Sequence, residues 1–248
     1  MKRVIEGIRH FILRLRARMR AQRFDHVVLT GNNCELAFRF LRCLGFLDAT
    51  LFCWAGSTKI EDLLRICDNI DDLMTGELDP PTKEQPLFRC AKTGLWAHGR
   101  SHASTWATPQ PPEFVKAEAD EVRSRILHLK EKTLNYLRDE KSVLVVHKIR
   151  TDYCEAGRAD STALAVRAAM ERLGARNMTF LVVCEDAVKD RFPKSHPGYE
   201  LRSVAAFNPG DDALNPKLGD RRGWQLVFDE FRPRKMMKRK KTAFKFEQ

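Results

Sequence analysis

Residues 26–45 read HVVLTGNNCELAFRFLRCLG, and this stretch decides the fold. The apolar run that ends at Thr30 predicts a short strand, because it is bounded by turn residues. The Gly-Asn-Asn sequence predicts a tight turn. Beyond the turn, apolar residues at helical spacing predict a helix that begins at Cys34 and ends at Gly45, a favourable C-cap.

The same alternation of strands and helices continues along the chain. Further strands are expected at residues 50–54, 143–146, 178–184 and 199–207, and further helices at residues 58–76, 113–138, 161–173 and 220–231. This alternation predicts an α/β fold with a mostly parallel, doubly wound (Rossmann-like) sheet and flanking helices. Prolines interrupt the alternation over residues 77–112 and predict an irregular insertion, in which a hairpin could turn at Thr93-Gly94.

The chain has a net charge of +11, and its excess of positive charge lies at the two ends. Residues 1–23 hold eight basic residues against one glutamate, and so do residues 232–248, which gives each end a charge of +7. The remaining residues carry −3, which argues against nucleic-acid binding by the body of the protein. We expect a basic amphipathic helix at 1–23, a single α/β domain at 24–232 and a basic, disordered tail at 233–248.

An apolar stripe runs along the N-terminal helix. It consists of Ile5, Ile8, Phe11, Ile12, Leu15 and Met19. Arginines cover the other faces, and two arrangements suit such a helix. It can lie on an anionic membrane surface as a peripheral contact, or its stripe can pack on the protein's own core while the arginines face water.

Seven cysteines are scattered along the 248 residues, at positions 34, 43, 53, 67, 90, 154 and 184. No pair has the C-x-x-C spacing of structural zinc sites, so no metal site is expected. An odd, scattered set does not form a secreted disulfide framework, and reduced thiols favour a cytoplasmic location. No apolar stretch is long enough to span a membrane, and arginines interrupt any signal-peptide core.

Cys34 is the candidate nucleophile of this chain. A thiol in the first turn of a helix lies beside unpaired backbone N–H groups and the positive end of the dipole, and both favour the reactive thiolate. Binding sites in parallel sheets also gather beyond the carboxyl ends of the strands, where Cys34 is expected. The charge of Glu35 opposes a neighbouring thiolate, and a buried, structural cysteine is the alternative interpretation.

A cysteine nucleophile needs a base, and the base needs an orienting group. His98 is the first choice for the base and His102 the second; each could equally be a surface histidine. Asp220 is the first choice for the orienting carboxylate and Asp152 the second, although Asp220 could equally be a plain N-cap. The candidate substrate-binding residues are Gly31, Asn32, Asn33, Trp54 and Arg150. An asparagine amide could complete an oxyanion hole, and the arginine could hold an anion.

These motifs resemble a bacterial family described as papain-like cysteine peptidases, whose activity is not established. The family combines a strand and a Leu-Gly-x-x-Cys turn with a later histidine, an apolar strand ending in arginine, and an aspartate before a Trp-bearing helix. The resemblance covers residues 25–232 and rests on Leu29 to Cys34, Cys53-Trp54, His98 or His102, Val143 to Arg150, and Asp220 with Trp224. The family has aspartate where this chain has Cys53, and its His-Asp-Phe motif is absent here.

The resemblance implies a thiol-dependent hydrolase with a Cys-His-Asp site, which acts on a small-molecule or glycan substrate and needs no cofactor. The turn is also similar to the Gly-Asn-Cys turn of capsule-polysaccharide acetyltransferases. That similarity implies an alternative, a CoA-dependent acetyltransferase of surface polysaccharide biosynthesis. A third hypothesis is a non-enzymatic binding protein whose basic tails contact a membrane or nucleic acid.

Overall fold

The computed structural model of the protein describes residues 2–31, 35–45, 47–56, 59–101, 103–149, 151, 154, 158–193, 197–207 and 220–234, with the backbone alone at residues 2–4 and 54–56. The helices are α1 (Lys2–Met19), α2 (Glu35–Leu44), α3 (Leu51–Trp54), α4 (Ile60–Asp68), α5 (Pro112–Arg138), α6 (Arg158–Arg172) and α7 (Arg221–Glu230). The strands are β1 (Gln22–Phe24), β2 (His26–Thr30), β3 (Ala55–Gly56), β4 (Leu78–Asp79), β5 (Phe88–Cys90), β6 (Trp96–Ala97), β7 (Val143–Lys148), β8 (Met178–Glu185), β9 (Glu200–Val204) and β10 (Phe231–Pro233).

Four parallel strands form the main sheet in the order β2, β7, β8, β9. Every residue of β7 is buried, as expected of a central strand that is covered on both faces. Side chains alternate between two hydrophobic cores: Val28 and Val145 face α4, α5 and α6, whereas Leu29 and Val146 face α2 and α7. The fold is therefore α/β, with a parallel sheet between two layers of helices.

A second pair of parallel strands joins the two ends of the described chain. β10 pairs with β1, with Phe231 opposite Gln22 and Pro233 opposite Phe24. Only Asp25 separates β1 from β2, so the chain returns to its first strands after adding β7, β8 and β9 in order. The folded domain therefore extends to Pro233, just past the predicted boundary at residue 232.

The predicted insertion contains a small antiparallel sheet with the strand order β3, β6, β5, β4. The predicted hairpin is confirmed: β5 pairs with β6, and Gly94 in the turn has a φ of 75°, which glycine adopts readily. Phe88 and Trp106 pack edge to face at 5.6 Å and belong to the same core as α5. The insertion thus adds to the helical layer on the α5 face of the main sheet.

The predicted strand at residues 50–54 is wrong. Leu51–Trp54 form the single helical turn α3, and a two-residue strand follows. Leu51, Phe52 and Cys53 are all buried, and a short apolar run without periodicity does not distinguish a strand from a helical turn. The Leu51 N–H donates to Thr133 Oγ1 on α5 at 2.8 Å, so a contact 82 residues away stabilises the turn.

Most of the other predicted helices form close to their expected bounds. Gly45 follows α2 with a φ of 79°, as expected of a C-cap. α4 is shorter than predicted, because it ends at Asp68 and a 3-10 turn follows at Ile70–Asp72. Thr58, the expected capping residue of α4, lies outside the described residues.

α1 contacts α7 through the side of the helix that carries Arg14 and Arg18. Both arginines bind the buried carboxylate of Asp229 in α7, while the apolar stripe of α1 is exposed. The arrangement in which the stripe packs on the protein's own core is therefore not the one that forms. No helix in the described part of the chain is long and apolar enough to cross a membrane.

Candidate functional site

The carboxyl edge of the main sheet holds a buried ion pair. Lys148 is the last residue of β7 and Glu35 the first of α2, and Lys148 Nζ lies 2.8 Å from Glu35 Oε2. Neither residue is more than 3% exposed. Moving two charges out of water costs several kcal/mol per ion, so such a pair is weak evidence for a role in stability alone.

A second cation joins this pair. Arg39 lies one helical turn after Glu35, with its Nε 3.5 Å from Glu35 Oε1, and it is only 1% exposed. With Glu35 ionised, the three residues Glu35, Arg39 and Lys148, hereafter the ion cluster, carry one negative and two positive charges. The dipole of α2 adds positive potential at the same place, because Glu35 lies in its first turn. Two buried cations and the start of a helix therefore lie together at this edge of the sheet.

The segments that follow β7, β8 and β9 are joined beside the ion cluster. Glu185, the last residue of β8, accepts hydrogen bonds from the Phe207 N–H at 2.7 Å and from the Thr151 hydroxyl. The centroid of the Phe207 ring lies 5.0 Å from Lys148 Nζ, a cation–π contact. An aromatic ring and a second carboxylate therefore border the cluster at the edge of the sheet.

His147 lies on the face of β7 opposite to Lys148. Its Nδ1 is 3.0 Å from Thr30 Oγ1, and the Thr30 hydroxyl donates to the Val146 carbonyl oxygen at 3.2 Å. Since a hydroxyl has one hydrogen, the Nδ1–H of His147 is then the donor to Thr30. Burial, followed by the charge of Lys148, lowers the pKa of His147 to about 3, so its imidazole is neutral at neutral pH.

Several predicted site residues lie outside the described residues. These are Asn32, Asn33, Cys34, His102, Arg150 and Asp152. Gly31 is buried directly after β2, and Trp54 ends α3, where only its backbone is described. Cys34 is nevertheless covalently bonded to Glu35, so the ion cluster begins at the residue that follows the predicted nucleophile.

The structure does not bring His98 and Asp220 together. His98 follows β6 on the α5 side of the main sheet, whereas Asp220 precedes α7 on the opposite side. The Asp220 carboxylate accepts hydrogen bonds from the Gly223 N–H at 2.8 Å and the Ala205 N–H at 2.9 Å. Its N-cap interpretation is therefore confirmed, and these contacts give no support to its predicted role as the group that orients His98.

His98 lies on an exposed loop that is held against α5. Its carbonyl oxygen accepts a hydrogen bond from Arg125, and the N–H groups of Arg100 and Ser101 donate to Glu118 at 3.0 and 3.2 Å. Desolvation and the nearby Arg125 guanidinium lower the pKa of His98. A neutral imidazole can accept a proton, so the role of His98 as a base stays a prediction.

The six described cysteines are poor nucleophiles. Five of them are buried and Cys43 is half-buried. Burial raises the pKa of Cys43 to about 11 and the pKa values of Cys67 and Cys184 to about 12. Because the thiolate is the reactive form, these thiols react slowly at neutral pH. Rapid alkylation at neutral pH would therefore report on Cys34.

The sequence prediction missed the ion cluster. It treated Glu35 as a first-turn residue that suits the helix dipole and opposes the thiolate, and it ended the central strand at Val146, before the two polar residues that complete it. A signal was present, because a lysine that directly continues a fully apolar strand is expected to be buried and therefore paired. Periodicity could not show that its partner is Glu35, 113 residues away.

The site and the fold define the protein as an α/β protein with a parallel sheet and a buried ion cluster at the carboxyl edge of that sheet. No protein-family model matches the chain, and neither the curated proteins nor the solved structures contain a significant match.

Proposed function

We propose that the protein is a cytoplasmic thiol-dependent hydrolase or acyltransferase with Cys34 as its nucleophile. The observation that carries this proposal is the ion cluster at the start of α2, which begins at the residue after Cys34. Cys34 is bonded to Glu35, the first residue of a helix, and Glu35 in turn pairs with two buried cations. Both features favour the thiolate over the thiol.

The ion cluster also offsets the effect that the Glu35 carboxylate would have on the pKa of Cys34. An isolated carboxylate beside Cys34 would raise the pKa of the thiol, but here Glu35 is paired with Lys148 and lies 3.5 Å from Arg39, and both cations offset its charge. Activation by these cations does not depend on contact between His98 and Asp220. In the proposed site His98, or His102 in its place, acts as the base, and the amide of Asn32 or Asn33 contributes to an oxyanion hole.

The Rossmann-like arrangement of the sheet belongs to the same proposal. Helices cover both faces of the parallel sheet, and the last described strand returns to pair with β1 instead of continuing beyond β9. The β1–β10 pair is a separate two-stranded sheet, so what supports the doubly wound class is the parallel sheet with helices on both faces. A site at the carboxyl edge, where the ion cluster lies, agrees with that class.

The test is the rate of alkylation by iodoacetamide as a function of pH, with the modified residue identified by mass spectrometry. We expect Cys34 to react with an apparent pKa below the value of about 8.5 for a free thiol. The Cys34→Ser variant should lose the fast reaction. Alkylation of Cys34 only above about pH 8.5, or a fast reaction that survives Cys34→Ser, would refute the proposal.

Two charge variants test the cause of the activation. Lys148→Met removes a cation and should raise the apparent pKa of Cys34, whereas Glu35→Gln removes the opposing anion and should lower it. Shifts of opposite sign are expected because the two variants remove charges of opposite sign from the same ion pair. If both variants shift the pKa in the same direction, loss of structure rather than charge is responsible.

The acceptor of the acyl group distinguishes a hydrolase from the alternative acetyltransferase of polysaccharide biosynthesis. A CoA donor would bind with its phosphates near the cationic edge of the sheet. A rise in the melting temperature with acetyl-CoA would favour the acetyltransferase, because a ligand that binds the folded state stabilises it. An unchanged melting temperature at millimolar acetyl-CoA, together with a reactive Cys34, would favour the hydrolase.

A further inference from the structure

The exposed apolar surface of this protein is concentrated on α1. Among the described residues, eight large hydrophobic side chains are exposed, and seven of them belong to this helix. They are Ile5, Ile8, Phe11, Ile12, Leu13, Leu15 and Met19, with Phe11 at 66% and Met19 at 72% exposure. The eighth is Leu164, on α6. Contiguous exposed apolar surface of this kind marks an interaction site, whereas scattered residues do not.

Two ion pairs fix the orientation of α1. Arg14 Nε lies 2.6 Å from Asp229 Oδ2 and Arg18 Nε lies 3.0 Å from Asp229 Oδ1, and the Asp229 side chain is fully buried. Asp229, the partner of both arginines, therefore holds one side of α1 against α7. The apolar stripe is therefore held toward solvent, which is the reverse of the usual packing of an amphipathic helix in a globular protein.

Basic side chains border the exposed stripe. Arg9 and Arg16 lie beside Ile5, Ile8 and Ile12 around a shallow groove on the outer side of the helix. Residues 1–23 carry a charge of +7 in total. A second copy of the chain would oppose this charge with an equal one, whereas an anionic bilayer complements both the charge and the apolar stripe.

We propose that α1 is a membrane-surface anchor, which lies in the plane of an anionic bilayer with its apolar stripe inserted among the lipids. The apolar residues enter the boundary between headgroups and acyl chains, and the arginines at the border contact lipid phosphates. Because α1 is docked on α7, its apolar stripe already faces outward before the protein contacts the membrane. This inference is independent of the proposed thiol chemistry, because it involves neither Cys34 nor the ion cluster.

Co-sedimentation of the full chain with lipid vesicles tests the proposal. We expect binding to vesicles of phosphatidylcholine mixed with phosphatidylglycerol, much weaker binding to phosphatidylcholine alone, and a decrease as salt is raised. Replacing Ile8 and Phe11 by serine should reduce the partition coefficient at least about tenfold, because the apolar surface of both residues no longer leaves water. Leu164→Ser removes an exposed leucine elsewhere and should leave binding unchanged.

Three outcomes would overturn the proposal. The first is no binding to anionic vesicles, and the second is binding that the serine substitutions on α1 leave unchanged. The third is a dimer in analytical ultracentrifugation that the same two substitutions dissociate, because a second copy of the chain would then cover the stripe.

A variant that lacks residues 235–248 serves as a control. It shows how much the basic tail contributes to any binding that remains after the serine substitutions.

Discussion

Lys148 shows how one residue at the end of a strand can set the charge of a site. Its ammonium is buried 2.8 Å from Glu35, so the loss of Lys148 would leave this buried carboxylate, among the described residues, with only the more distant Arg39, at 3.5 Å, as its cation. We predict that Lys148→Met lowers the free energy of unfolding by about 3–5 kcal/mol. Urea denaturation at neutral pH measures the loss.

An exposed ion pair supplies the control for this prediction. Arg172 Nη2 lies 2.6 Å from Asp68 Oδ1, closer than the two charges of the buried pair, but both side chains are more than half exposed. Arg172→Met should therefore cost less than about 1 kcal/mol. Equal losses for the two methionine variants would show that Lys148 is not buried as a charge.

His147 makes the stability of the protein depend on pH. Its pKa falls from 6.5 in the unfolded chain to about 3 in the folded one, so protonation opposes folding. The contribution of neutral His147 is complete above pH 6.5 and is lost as the pH falls toward 3. The loss amounts to about 1.4 kcal/mol per pH unit, or about 2 kcal/mol between pH 6.5 and about pH 5.

The His147→Asn variant isolates this effect, because an asparagine places a polar atom near the position of Nδ1 and cannot be protonated. We predict that urea denaturation of the variant shows a smaller loss of stability between pH 7 and about pH 5, by roughly 2 kcal/mol. His128→Asn, which changes an exposed histidine on α5, should keep the wild-type slope. An unchanged slope in His147→Asn would contradict the buried, neutral assignment.

At the scale of elements, the position of α1 depends on one carboxylate. Asp229 accepts from both Arg14 and Arg18 and has no exposure to water. We predict that Asp229→Asn releases α1 from α7, because the amide keeps the shape of the side chain and loses the charge that both guanidinium groups bind. Hydrogen exchange of the backbone amides of residues 5–19 should become faster while exchange in β7 and β8 changes little.

The corresponding control is Asp68→Asn, which removes the charge from the exposed pair with Arg172 and should leave exchange in α1 as it is. The Asp229→Asn variant also tests membrane binding. Release of α1 should leave its apolar stripe available, so anionic vesicles should still bind Asp229→Asn. Slow exchange of α1 in Asp229→Asn would mean that other contacts hold the helix.

Two glycines respond to alanine in opposite ways. Gly94 in the β5–β6 turn has a φ of 75°, which strains any residue with a Cβ, so Gly94→Ala should cost about 1 kcal/mol or more. Gly7 lies inside α1 with nothing within 4 Å of the added methyl group, so Gly7→Ala should stabilise the helix by up to about 1 kcal/mol. Thermal unfolding of the two variants should show shifts of opposite sign.

At the scale of the whole molecule, the C-terminal strand closes the domain. Phe231 is fully buried, stacks on Phe24 with ring centroids 6.4 Å apart, and has the Arg202 guanidinium 5.0 Å from its ring centroid. We predict that a chain ending at residue 230 loses at least about 3–5 kcal/mol of stability, as a buried phenylalanine contributes that much. A chain ending at residue 234 keeps β10 and should unfold like the full chain, within about 0.5 kcal/mol.

The sequence by itself determined the elements whose signals are local. The strand β2, the hairpin across Gly94 and the long helix α5 follow from periodicity and turn chemistry within a few residues. Alternation of these elements was enough to predict an α/β fold with a parallel sheet. The same rules failed at Leu51–Trp54, where four apolar residues have no period and a hydrogen bond to Thr133 favours a helical turn.

Only the tertiary structure decided how distant residues meet. Glu35 pairs with Lys148, which lies 113 residues later in the chain, and Arg14 pairs with Asp229, which lies 215 residues later. Local sequence patterns show which face of an element is apolar. They do not identify the partner of a charged residue, because that partner is brought within hydrogen-bond distance only by tertiary packing. For that reason the sequence indicated a reactive cysteine and an amphipathic helix, whereas the fold decided which charges surround the start of α2 and which side of α1 faces outward.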